Sequence, residues 1–326
     1  MQDKEEGIDY ASPFNLLANE LIHKISQNLE DDREAHDCFA FTCRKFYQLT
    51  KSERLRVRLA EYVTEGNQAK AKEMLEKYPE LLLKRGFMTD KSGRVFENIT
   101  VWEYMLWALD VKYMGPMMLN CLPENEQGKE ISIELLNQFE KLEKNSVRYV
   151  LNGVPYNEKH YNFYIITALK DFVTHFAQWD WQAKVDYWKQ IIGEAQFYLP
   201  AHVAQHYCDP DVPFYPRPEF NSALFNRTLT FFNNLTRQVE NWWPNERLAE
   251  LKLGVHFAIT RSGVKEGSNG INHMRGADFA ATKDMQALTA LYHIRINTDL
   301  PALKQKLLDR IHTLNVEPEC SCSMAG

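Results

Sequence analysis

The densest run of residues able to do chemistry is His202-Val-Ala-Gln-His206-Tyr-Cys208-Asp209-Pro-Asp211. Two histidines four apart on a helix face the same way, as metal ligands often do. A zincin, however, needs Glu directly after the first His to act as general base. That place is held by Val203, which excludes the chemistry on this motif. A structural metal on His202 and His206 with Cys208 or Asp211 stays open, as does a thiol nucleophile at Cys208. Catalytic Cys and His are usually distant in sequence and share an electropositive pocket. The favoured reading is therefore a helix end, with imidazoles capping carbonyls and Asp209 starting a turn. No catalytic residue, metal or cofactor is assigned.

Other stretches carry less. Arg261 to Gly276 is rich in glycine but lacks the GxxxxGK[ST] order of a nucleotide loop, so it reads as a mobile loop. Cys320 and Cys322 lie in a small, polar tail, and the fourth place from the end, where prenylation needs Cys, is Ser323. The six cysteines show no CxxC spacing and no disulfide framework, which fits a reducing compartment. A net charge of −6 and a pI near 6.0 argue against nucleic acid as a partner. The opening MQDKEEGIDY has no basic n-region leading into an apolar core, and no run approaches a membrane span. The three Asn-x-Thr sequons at Asn98, Asn226 and Asn234 then read as chance.

Residues 1–12 read as a disordered leader. From Phe14 to Leu49 apolar residues crowd a short space. Ala18, Leu21, Ile22, Ile25 and Leu29 make one helical face, and Asp31 with Glu34 forms a capping box for a second helix. So few residues cannot bury that apolar content alone. The order of residues resembles an F-box: Leu16-Leu17, Asn19-Glu20-Leu21, Ile25, Leu29, then Cys43-Arg44-Lys45-Phe46 and Leu49. Ala18 stands where that pattern usually has Pro. The resemblance implies docking on the host Skp-type adaptor of a cullin–RING ubiquitin ligase, through Phe14, Leu16, Leu17, Leu21, Ile25, Leu29, Cys43, Phe46 and Leu49. Arg54, Arg56 and Arg58, on the helix that follows, read as a solvated face.

From Leu59 a short helix ending at Gly66 and a second one closed by Pro79 resemble the helix–turn–helix of an ankyrin repeat. Asp90-Lys-Ser-Gly93 supplies a turn, and Thr100-Val-Trp-Glu103 opens another, more aromatic helix pair. Trp102, Tyr104, Trp107 and Tyr113 read as core of such a stack rather than as a ligand cage. The connection from 84 to 99 is longer than a repeat period of about 33 residues permits, so the second unit is a degenerate one. One good and one degenerate unit are too few to be stable alone, so the rest of the chain must cap them.

Beyond a polar break at 123–129, Leu135, Leu136, Phe139 and Leu142 keep helical spacing. Asn152-Gly153 between β-formers predicts a hairpin. Helices are expected at about 160–178 and 181–207, an extended proline-rich loop at 208–220, and closing helices at about 277–296 and 300–314. Thr228–Phe232 and Leu253–Thr260 read as strands. Trp179-Asp-Trp181, Leu199 to Cys208, the proline-rich loop and Trp242-Trp243 resemble a module of ankyrin-containing effectors of intracellular bacteria such as Legionella. The tail resembles a type IV export signal.

The expected fold is mainly α: an F-box-like three-helix unit (13–51), ankyrin-like helix pairs (52–122), and a helical C-terminal target-binding domain with a few short strands (123–315). A disordered tail would close it (316–326). With the resemblances this implies a bacterial effector, secreted without a cleaved signal peptide into the host cytoplasm. It would be a non-enzymatic adaptor presenting an unidentified host protein for ubiquitination. The alternatives are an enzyme centred on His202, His206 and Cys208, or a helical scaffold without a ubiquitin link.

Overall fold

Local chemistry sets several of the helix ends. The computed structural model describes residues 17–29, 33–222, 226–233, 236–243, 253–255, 257–262 and 277–313. Asn19–Asn28 (α1), Arg33–Ala40 (α2) and Arg44–Leu49 (α3) make an N-terminal three-helix unit, and Lys51–Thr64 (α4) leads out of it. The unit's interior is small. Ile22, Ala40 and Phe46 are buried, the Phe39 ring lies 4.7 Å from Phe46, and His36 Nε2 and Ser26 Oγ are hydrogen-bonded at 2.7 Å. The capping residue expected at Asp31 lies outside the described residues, as do the leader, nearly all of the glycine-rich run and the tail.

Gly66 ends α4 in the left-handed conformation (φ +65°), with the Asn67 amide reaching back to Tyr62 O at 2.7 Å. Asn67 then caps Gln68–Leu75 (α5) through Lys70 N. After a 3₁₀ turn opened by Pro79, Gly86–Thr89 (β1) and Val95–Ile99 (β2) form a hairpin around Asp90–Gly93. A complete capping box between Thr100 and Glu103 starts Val101–Ala108 (α6), and Met114–Asn120 (α7) packs back on it.

Glu126–Lys144 (α8) leads to a second hairpin, Val147–Leu151 (β3) and Val154–Glu158 (β4). Asn152 and Gly153 both adopt positive φ, +52° and +78°, as a two-residue type I′ turn requires. The four strands form one antiparallel sheet in the order β1-β2-β3-β4. Each side of the polar break at 123 therefore gives two strands to the same sheet, and one hydrophobic core runs from Leu59 to Leu307 without a gap. Ile22, Ala40 and Phe46 stand apart from it.

Tyr164–His175 (α9) and Trp181–Asp186 (α10) follow, then a π-helical turn at Tyr187–Ile192, Gly193–Phe197 (α11) and Ala201–Cys208 (α12). Thr230–Asn233 (β5) and Gln238–Asn241 (β6) make a separate hairpin. Ala277–Ile294 (α13) runs through a π-helical turn, Arg295–Asp299, into Leu300–Thr313 (α14). α13 packs along α9 and α14 against α8. The fold is mainly α with a few short antiparallel strands. No helix among the described residues is long and apolar enough to cross a membrane.

Two local expectations need correction. Leu253–Thr260 makes only an isolated bridge, Leu253 to Phe257. The Gln196 side-chain amide bonds both the N–H and the C=O of Ile259, at 2.8 and 2.6 Å, and so takes the place of a neighbouring strand. Gly254 turns so close to the helix at Gly193 that a Cβ on Gly193 would lie 2.6 Å from Gly254 N. Arg56 is not solvated either: it is 4% exposed and donates to Phe87 O at 2.8 Å, tying α4 to β1.

The reading of the aromatic residues as core holds for Trp102, Tyr104 and Trp107, all buried. Trp107 also belongs to a cage, and its occupant is the protein's own Arg94. The guanidinium lies 5.2 to 5.8 Å from the ring centres of Trp107, Tyr149, Tyr161 and Tyr198. It pairs with Asp90 at 3.2 Å and donates to Tyr198 O at 2.7 Å. Burial alone would lower its pKa, but Asp90 and the surrounding phenols raise it, so the charge is kept. Replacing Arg94 by Ala strands Asp90 in the interior, and unfolding by urea is expected to show a loss of about 3–5 kcal/mol. Arg94→Lys should recover only part of this, since an ammonium cannot reproduce the guanidinium's planar donor set.

Candidate functional site

α1, α2 and α3 pack only far enough to hide Ile22, Ala40 and Phe46, which leaves an apolar face outside. Leu21 is 45% exposed, Phe41 68% and Tyr47 44%. Leu17, Ile25, Leu29, Cys43 and Leu49 are half-buried around them. Phe46 is turned inward and serves the unit's own interior. Phe14 and Leu16 lie outside the described residues. Lys45 Nζ donates to Leu17 O at 2.6 Å and fixes the start of α1 against α3. Two residues that sequence reasoning missed complete the face: Phe41 and Tyr47 stack at 5.6 Å, and the Arg54 guanidinium sits 4.0 Å from the Tyr47 ring centre. The aromatic spacing across the turn at 41–43 was visible, but the exposure of both rings was not.

The histidine-rich run behaves differently from its sequence reading. Every residue of α12 is buried. His202 points inward with neither ring nitrogen hydrogen-bonded, and His206 packs edge-on against Phe220 at 5.0 Å. His202 therefore caps no carbonyl. Burial, outweighing the nearby Asp110 carboxylate, pushes His202 down to about 3, and burial with the Arg295 charge holds His206 well below its ordinary value. Both are neutral at pH 7. Burial pushes the Cys208 thiol up, which removes it as a thiolate nucleophile. Asp211 is exposed and does not join them. No group of three or more His, Cys, Asp or Glu among the described residues is placed to hold a metal ion.

What α12 does face is a buried network drawn from both halves of the chain. Arg227 grips Asp110 with two bonds of 2.7 and 3.1 Å, and also reaches Gln205 at 3.1 Å and Gln68 at 3.3 Å. Burial pushes Asp110 up, but Arg227 and His202 outweigh it, and its pKa is lowered. Arg295, fully buried in the second π-helical turn, pairs with Asp299 at 2.6 Å, and both arginines lie 5.6 Å from the Tyr113 ring centre. Arg227 is the one of these with no other charge between Glu219 and Arg237, a sequence sign of a cation with a distant partner.

This network floors a cleft of about 900 Å³ between α5 and the β5–β6 hairpin, with Gln68, Lys72, Lys91 and Trp243 among its walls. Its cations are engaged: Lys91 with Glu65 at 2.7 Å, Lys72 with Glu76 at 3.6 Å, Arg227 with Asp110.

Residues 164–307, from α9 into α14, match the model of the CBUA0006 C-terminal domain family. The chain is also similar to an uncharacterized protein, CBUA0006, of the intracellular bacterium Coxiella burnetii. The two are 35% identical over 272 residues, covering 78% of this chain and 76% of the relative. That span is too long for the domain and the short stretch after it, so the likeness also reaches residues before 164. No solved structure matches the chain.

The neutral buried histidines give a signed pH dependence. His202 and His206, with His36 and His160, whose pKa values burial also lowers, bind protons more readily when unfolded. Stability is therefore present above pH 6.5 and is lost as pH falls below it, by up to about 1.4 kcal/mol per pH unit for each histidine. For His202 the loss continues to about pH 3. Asp284 acts in the opposite sense: burial raises it to about 6, so its contribution grows as pH falls through 6 toward its unfolded value. Urea midpoints measured from pH 7.5 to 5 should fall, and His202→Leu should reduce that slope by about one proton.

Proposed function

This chain belongs to the CBUA0006 family, and we propose that it is an effector that works as a substrate adaptor. Its α1–α3 unit would dock on the Skp-type adaptor of a host cullin–RING ubiquitin ligase. The helix pairs and the C-terminal domain would hold a host protein for ubiquitination in the host cytoplasm. One observation carries the reading: the unit keeps a separate interior and leaves Leu21, Phe41 and Tyr47 exposed beside Leu17, Ile25 and Leu29. A hairpin that merely capped the next domain would turn that face inward.

Two helix pairs, α4–α5 and α6–α7, joined through the turn at Asp90–Gly93, are in keeping with ankyrin-like units that the C-terminal region would cap. The intracellular habit of the relative's organism supports an effector role. An enzyme built on His202, His206 and Cys208 finds little support, since the imidazoles are neutral and enclosed and the thiol is buried.

Burying a leucine side chain is worth roughly 1.5–3 kcal/mol, so Leu17→Ala with Leu21→Ala should weaken binding of a purified Skp-type adaptor by about a hundredfold or more. Because Leu21 is exposed and Leu17 half-buried, the urea midpoint of the double variant should match the wild type. Failure of the wild-type chain to co-purify with the adaptor ends the ubiquitin-ligase reading and leaves a helical scaffold.

A further inference from the structure

The main sheet is forked where its two hairpins meet. β1 and β2 pair at Gly86, Met88 and Thr89, and β3 and β4 pair along their whole length, but β2 and β3 meet only at Val95 and Val150. Continued in that antiparallel register, the ladder would set Phe96 against Tyr149 and Glu97 against Arg148. On the core side the expected partners do meet, with the Phe96 and Tyr149 rings 5.4 Å apart. On the solvent side Glu97 and Arg148, a cross-strand pair of opposite charge by register, form no ion pair. Beyond Val95 and Val150 no further pair of the two strands is in register.

A cleft of about 690 Å³ fills the fork. Ile99 and Leu142 are buried in its floor, and Tyr156, 40% exposed, stands in its wall. At the rim Lys141 and Arg148 are exposed and have no ion-pair partner among the described residues, whereas Arg85 is already paired with Glu103.

We propose that this fork is a docking site for an extended peptide segment that carries acidic side chains. Diverging strands turn alternate N–H and C=O groups toward the gap between them, and the ligand that matches such a row is another extended chain. Its side chains alternate in direction, one set reaching the Ile99 and Leu142 floor and the other the charged rim. Two unengaged cations against the single unengaged carboxylate of Glu97 select for acid. A nucleic acid would meet Glu97 and Glu103 on a chain of net charge −6, and is disfavoured. The inference does not depend on the ubiquitin-ligase reading, which concerns a different surface.

The test uses the full chain and short fluorescein-labelled peptides of alternating Val and Thr, with Glu, or in a matched set Lys, on one face. Anisotropy should show saturable binding of the Glu peptides and binding weaker by roughly tenfold or more for the Lys peptides. Lys141→Glu with Arg148→Glu should reverse that preference, while Lys72→Glu, in the cleft beside Trp243, leaves it unchanged. Hydrogen exchange with the Glu peptide bound should slow at 95–99 and 147–150. The proposal is overturned if no Glu peptide binds saturably, if Glu and Lys peptides bind alike, or if the slowed amides lie elsewhere.

Discussion

Burying the Arg94 guanidinium among Trp107, Tyr149, Tyr161 and Tyr198 carries a desolvation cost of several kcal/mol that few arrangements can offset. Here the offset comes from Asp90, from Tyr198 O and from the ring faces, each ring worth about 0.5–2 kcal/mol. Asp90 also accepts from the Ser92 and Arg94 amides, so the same carboxylate shapes the turn and neutralises the cation. The rings come from α6, β3, the approach to α9 and the end of α11. Four elements far apart in sequence are thus fixed around one hairpin turn, and the sheet and helices on both sides of residue 123 form one body.

A second clamp works the same way on the far side of α12. Arg227, Asp110, Gln68 and Gln205 join the turn after α6, the start of α5, α12 and the approach to β5. Gly66 belongs to this clamp too: a Cβ there would lie 2.7 Å from the Gln205 amide nitrogen, so the glycine that ends α4 also admits the residue that binds Arg227. Asp110 and Gln68 lie outside the matched family domain of 164–307, while Arg227 and Gln205 lie within it. The domain's buried charges are completed by the N-terminal half, which agrees with a likeness to the Coxiella relative that extends beyond the domain.

Features governed by neighbours in sequence were legible. Thr100 with Glu103, Asn67, Gly66 and Asn152-Gly153 produce the cap, turn and hairpin that local stereochemistry demands, and α13 and α14 fall where their periodicity puts them. Features governed by distant partners were not. Arg56 reads as solvated, and nothing in the pattern marks Arg94, because a cation's burial depends on carbonyls and rings supplied from elsewhere. Leu253–Thr260 has the composition of a strand, but Gln196 takes both backbone groups of Ile259. His202 and His206 share a helix face as expected, yet that face looks into the core. The fork between β2 and β3 is invisible in sequence, since composition fixes neither register nor where a ladder stops. Of the residues proposed for docking, the apolar character of 17–49 was readable, while the inward turn of Phe46 and the outward stack of Phe41 and Tyr47 were matters of packing.

The resulting picture is a body of helices, a four-stranded sheet and a separate hairpin that carries, through α4, a small unit with its own interior. The uncovered apolar face of that unit suits the docking role proposed for it. The most direct measurement is hydrogen exchange across the full chain with and without a purified Skp-type adaptor. Slower exchange confined to residues 17–49, with the core from Leu59 to Leu307 unchanged, is the predicted result. Protection that appears within that core, or none at all at saturating adaptor, would contradict the account.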